Sequence, residues 1–87
     1  MDLKDIRKEI DAVDDQIAAL INKRMEIVKK VAEYKKQAGV NAAGIRDIKR
    51  ETEILARICT GENKETLRQI FTAIFETSCA CQSDFLS

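Results

Sequence analysis

Apolar residues recur in steps of three and four from the start of the chain: Leu3, Ile6, Ile10, Val13, Ile17 and Leu20, then Ile27, Val31 and Tyr34. That spacing is helical, with a repeat near 3.5 residues, as in seams that pack in coiled-coil fashion. Position 24 is the one break in the run, and it holds an arginine. Burying a guanidinium is costly unless an anion meets it. Either the protein supplies a carboxylate there or an anionic ligand does.

The chain has no proline and three glycines, Gly39, Gly44 and Gly61, which divide it into three helical stretches. The first is expected from about Asp2 to Ala38, with Asp2 as N-cap and Gly39 as C-cap. The second is expected from about Arg46 or Asp47 to Cys59. The third runs from about Lys64 to Phe85, with Asn63 as its N-cap. No strand-like alternation occurs, so the fold class is all-α, with one long, one short and one medium helix.

At 1.5 Å per residue the first helix would be ~55 Å long. A compact monomer of this size would be only ~30 Å across. The outer part of such a helix needs cover from another chain, and an intertwined helical-bundle homodimer is expected. A helix broken near Asn22 and Lys23, folded back as a four-helix monomer, ranks second because nothing there breaks a helix.

Composition narrows the function. Fifteen Lys and Arg balance fifteen Asp and Glu, so the basic excess of a nucleic-acid binder is absent. No apolar run is long enough to span a membrane. The opening Met1-Asp2-Leu3-Lys4-Asp5 lacks the apolar core of a signal peptide, so a cytoplasmic protein is expected, with residues 1–87 as a single domain. Cys59, Cys79 and Cys81 form no CxxC pair, and histidine is absent, so neither a metal site nor a cofactor is expected. The thiols read as reduced small hydrophobes. Without histidine, any proton transfer falls to Glu, Asp, Lys or Cys, or the reaction needs none.

The polar residues on the inner faces carry the chemistry. Arg24 and Lys35 are eleven positions apart, three turns, and share a groove ~16 Å long. Arg7 and Lys35 occupy the column beside the seam. Taken singly, either could bury its stem and hold its head in water. Asp47, Arg50 and Glu51 fall at i, i+3 and i+4, which on its own reads as an ordinary exposed ion-pair patch. The third helix has an apolar face of Leu67, Ile70, Phe71, Ile74, Phe75, Cys81 and Phe85, interrupted by Ser78 and Gln82 one turn apart. Those two would either bond a backbone carbonyl or donate into a cavity. Together, Arg7, Arg24, Lys35, Arg50, Glu51, Ser78 and Gln82 describe a pocket for a small hydroxylated dianion. No base-paired nucleophile or metal cage for hydrolysis is present. Such a pocket suits a reaction that needs only a polarised substrate held in a reactive conformation.

The segments Leu3-Lys4-Asp5-Ile6-Arg7-Lys8-Glu9-Ile10-Asp11, Leu20 to Arg24, Lys35, Arg46-Asp47-Ile48-Lys49-Arg50-Glu51 and Ser78 to Gln82 resemble the all-helical chorismate mutases. That family is built as an intertwined dimer of three-helix chains. The likeness spans nearly the whole chain; the loops around Asn41 to Gly44 and Thr60 to Asn63 look free to vary in length. The resemblance implies a pericyclic Claisen rearrangement of chorismate to prephenate, on the route to phenylalanine and tyrosine, with no proton moved. It implies that Arg24 and Arg50, with Arg7 from the other subunit, hold the two carboxylates. Lys35 and Gln82 would donate to the ether oxygen. Glu51 would accept from the ring hydroxyl, helped by backbone N–H groups near Asp47, and Ser78 would contact a carboxylate. An isochorismate-pyruvate lyase of the same fold ranks second, and a non-catalytic helical dimerisation module third. The module gives no reason for Arg24, Ser78 and Gln82 to interrupt apolar faces.

Overall fold

The computed structural model describes residues 2–39, 44 and 46–86. The expected loop from Asn41 to Gly44 lies outside the described residues except for Gly44. Three helices follow in order: α1 (Leu3–Gln37), α2 (Ile48–Ile58) and α3 (Lys64–Leu86). The described residues contain no strand.

Local chemistry sets the helix ends. The Asp2 carboxylate accepts from the Asp5 N–H at 2.9 Å and caps α1. At the other end Ala38 returns its N–H to the Tyr34 carbonyl, and Gly39 turns the chain away at φ +77°. A side chain would be strained there, which is why glycine suits the position. Asp47 caps α2, its carboxylate accepting from the Arg50 N–H at 3.0 Å. The Asn63 carbonyl accepts from Leu67 at the start of α3.

α1 runs unbroken through Asn22 and Lys23. The chain is elongated, 56 × 23 × 15 Å, because α1 outreaches everything packed against it. α3 is the common partner and packs on both α1 and α2. The small core lies where the three meet: Val28 and Ala32 from α1, Ile54 from α2, Cys59 just after it, and Phe75 from α3.

The buried positions of α1 are not those of its long apolar seam. Val28 and Ala32 stand on the neighbouring column, with Arg24 one turn before them and Lys35 one turn after. Ala32 has the small side chain that lets two helices approach closely. The seam itself stays open: Leu3, Ile6, Ile10, Val13, Ile17 and Leu20 are between 39 and 66 % exposed. Arg24 sits where the two stripes converge, which explains its place in the seam spacing and its contact with α3.

Candidate functional site

Arg24 is half-buried, and its guanidinium donates to the Ser78 hydroxyl oxygen at 2.6 Å. Its charged end also stands 5.9 Å from the centre of the Phe75 ring, at the outer range of a cation–π contact. Among the described residues no carboxylate lies within ion-pair distance of Arg24. The described residues thus meet this cation with a neutral hydroxyl and a ring face and supply no opposite charge to it.

Ser78 is buried and fully engaged. Its O–H donates to the Ile74 carbonyl at 2.7 Å, one turn back on α3, while its oxygen accepts from Arg24. A hydroxyl has a single proton, so in this state Ser78 orients Arg24 and donates to nothing else.

One turn further along α3, the buried Gln82 accepts from Lys35 Nζ at 2.9 Å. An ammonium can only donate, so Lys35 must see the amide oxygen, which turns the Gln82 NH₂ to the other side. The pair presents two kinds of N–H donor, one charged and one neutral. Four side chains from two helices thus form two rungs, Arg24–Ser78 and Lys35–Gln82, separated by three turns on α1 and one on α3. The long Arg24 and Lys35 side chains thus reach from well-separated turns of α1 to adjacent turns of α3.

The N-terminus of α2 closes that space. Asp47, Arg50 and Glu51 line the same cavity as Arg24, Lys35, Ser78 and Gln82. The Asp47 carboxylate accepts from the Arg50 N–H, leaving the Arg50 side chain at the wall. The Arg50 guanidinium, like that of Arg24, is in no ion pair with a described residue. The first turn of α2, the positive end of its dipole, thus lies at this wall. The cavity measures about 460 Å³, and its apolar wall includes Ile27, Val28, Val31, Ile54 and Phe75. That volume suits a small organic ligand.

Seven of the eight residues expected at the site therefore meet around one cavity. Arg7 does not. It is exposed, and it lies seventeen residues before Arg24 on an unbroken helix, about 25 Å away along the axis. Two features of the site escaped sequence reasoning. Cys79 lines the cavity although helical spacing placed Cys81 on the inner face instead. Arg46 donates to Glu51 Oε1 at 2.9 Å. Within a helix, five residues is the wrong spacing for a pair. The contact exists because the chain turns at the Asp47 cap, so helical periodicity carried no signal of it. Among the described residues no group of three or more His, Cys, Asp or Glu is placed to hold a metal ion.

Comparison with known proteins identifies the family. The family model for chorismate mutase type II matches residues 6–83. A protein named chorismate mutase from Methanocaldococcus jannaschii is 38% identical over 89 residues, covering 97% of this chain and 87% of that protein. A protein named bifunctional chorismate mutase/prephenate dehydratase from Aquifex aeolicus is 37% identical over 70 residues. The match covers 80% of this chain and only 18% of that longer protein. No solved structure matches the chain significantly.

Proposed function

The chain belongs to the chorismate mutase type II family, and on that premise we propose that its cavity converts chorismate to prephenate, with each wall residue in a definite role. The observation that carries the proposal is the charge of Arg24, unpaired among the described residues. A half-buried guanidinium that meets, among the described residues, a hydroxyl and a phenyl ring but no carboxylate is stabilised when a carboxylate arrives. Arg50, also without an ion-pair partner among the described residues, takes the second carboxylate of the dianion.

Chorismate must break a C–O bond and form a C–C bond in one cyclic step. No proton moves, so a wall without histidine is no handicap. Two tasks remain for the protein. The first is to hold the reacting termini within bonding reach, which anchoring both carboxylates accomplishes. The second is to stabilise the negative charge that develops on the ether oxygen as the C–O bond stretches. Lys35 and the Gln82 NH₂ are the donors for that oxygen. Their mutual bond keeps the amide turned so that its N–H groups, and not its oxygen, face the substrate. Glu51 accepts from the ring hydroxyl, and Asp47 holds the start of α2 in place. Ser78 sets the angle of Arg24. It contacts the carboxylate itself only by exchanging its bond to the Ile74 carbonyl.

The cavity needs one more cation to enclose a dianion on its open side. We assign this to Arg7 of a second copy, lying along the exposed seam of α1 in a homodimer. No described helix is long and apolar enough to cross a membrane. A cytoplasmic dimer acting as a single catalytic domain is the form proposed. The test is direct: the purified protein should consume chorismate, read as loss of its absorbance, and yield prephenate. An unchanged absorbance at micromolar enzyme would refute the proposal. Release of pyruvate from isochorismate instead would identify the lyase.

A further inference from the structure

Arg46 stands just outside the helix cap, and its side chain is 48 % exposed. Its partner is different: the Glu51 side chain is only 15 % exposed and lines the cavity. The pair therefore links solvent to the interior, with the cation outside and the carboxylate within.

The charge around the cavity gives this pair a purpose. The wall carries three cations, Arg24, Lys35 and Arg50, and two carboxylates, Asp47 and Glu51. That leaves one net positive charge to meet a substrate with two negative ones. Glu51 is the unfavourable member, because it must accept from a hydroxyl close to an incoming dianion. A carboxylate in that place repels the substrate in both the ground state and the transition state. Arg46, bonded to Oε1, brings the charge of this chain's site to two, and among the described residues it leaves Oε2 of this cavity-lining carboxylate without a hydrogen bond.

We propose that Arg46 is a positioning residue for this site, whose guanidinium neutralises Glu51 and holds one of its oxygens so that the other can accept a substrate hydroxyl. The inference rests on the reading of the cavity as a chorismate site. It assigns Arg46 a role in affinity and not in the chemical step, because the repulsion it cancels is the same before and during bond breaking.

Steady-state kinetics on Arg46→Gln, Arg46→Lys, Glu51→Gln and the Arg46→Gln/Glu51→Gln double variant test it. Arg46→Gln should raise KM about tenfold and change kcat by less than about twofold, the pattern of lost uniform binding. Arg46→Lys keeps the charge and should recover most of the affinity. With Glu51→Gln already present, Arg46→Gln should add less than about twofold, because the carboxylate it serves is gone. With its guanidinium half in solvent the pair contributes little to stability, so the melting temperature of Arg46→Gln should stay near that of the parent.

Independent, multiplying losses in the double variant would overturn the role, as would a loss in kcat with KM unchanged. A fall in KM recovery to nothing with Arg46→Lys would overturn the charge argument. An unsubstituted chain that fails to turn over chorismate would instead remove the function on which the role depends. The two failures are thus told apart.

Discussion

Arg24 is the residue on which the site turns. A hydrophobe at that position would complete the α1 seam and pack against Phe75, whereas the arginine keeps a cation half-buried with no ion-pair partner among the described residues. Arg24→Leu should therefore leave the protein folded, with thermal stability equal to the parent or higher, while activity is lost. Ser78 would keep its bond to the Ile74 carbonyl in that variant, so no buried hydroxyl is orphaned. A thermal melt and a chorismate assay on the same preparation decide the matter; an unfolded variant would make Arg24 a structural residue. The donors proposed for the ether oxygen should behave differently. Removing a donor that acts on developing charge costs ~10²–10³ in kcat. Lys35→Ala and Gln82→Ala should lower kcat more than they raise KM, and Arg50→Ala should show more of its loss in KM, since carboxylates are charged throughout. Near-normal kcat in Lys35→Ala would exclude its ether-oxygen role.

At the scale of elements, α2 matters most for its first turn. It is a short helix, Ile48–Ile58, and its start places Arg50 and Glu51 at the cavity. The Asp47 carboxylate secures that start. Asp47→Ala should cost ~1 kcal/mol of stability, typical for a lost N-cap, and should lower kcat/KM as Arg50 and Glu51 lose their register. Asparagine caps as well as aspartate, so Asp47→Asn should retain both stability and most activity. A fall in activity with Asp47→Asn at unchanged stability would show that the negative charge itself, not the cap, serves the substrate. Hydrogen exchange at the α2 amides separates the two cases. On α3 the division of labour follows the turn: Phe75 and the buried Ser78 and Gln82 share one face, so core and site are built from the same stripe.

The whole molecule leaves a long apolar stripe uncovered. The outer half of α1 touches little of its own chain, and large exposed patches of this kind mark association surfaces. A homodimer should appear in sedimentation at micromolar concentration, with twice the 9.8 kDa chain mass. Val13→Asp on the stripe should dissociate or destabilise it. Complementation tests the sharing of residues between copies. Arg7→Ala and Arg24→Ala should each be inactive alone. When the two are unfolded together and refolded as mixed dimers, one of the two sites regains both arginines, and activity should return. Failure of mixed dimers to recover any activity would place Arg7 outside the site.

Much of this was legible in the chain. Periodicity and punctuation set three helices to within a residue or two of their observed ends, because caps and glycines act on neighbouring backbone. Polar residues at Arg24, Ser78 and Gln82 stood out because helical spacing marked those positions as inward. Their order along the chain also carried the family resemblance. What spacing alone left open was which stripe of α1 faces α3. Two apolar columns run along that helix, and only packing at Ala32 and Val28 selected the inner one and left the other exposed. Likewise Arg46 meets Glu51 only because the chain bends at a cap, and Ser78 orients Arg24 only because α1 and α3 pack together there. Local sequence determines which groups a helix presents. Which groups meet, and which charges are left for a ligand, is decided by tertiary packing, since those contacts join residues up to 54 positions apart.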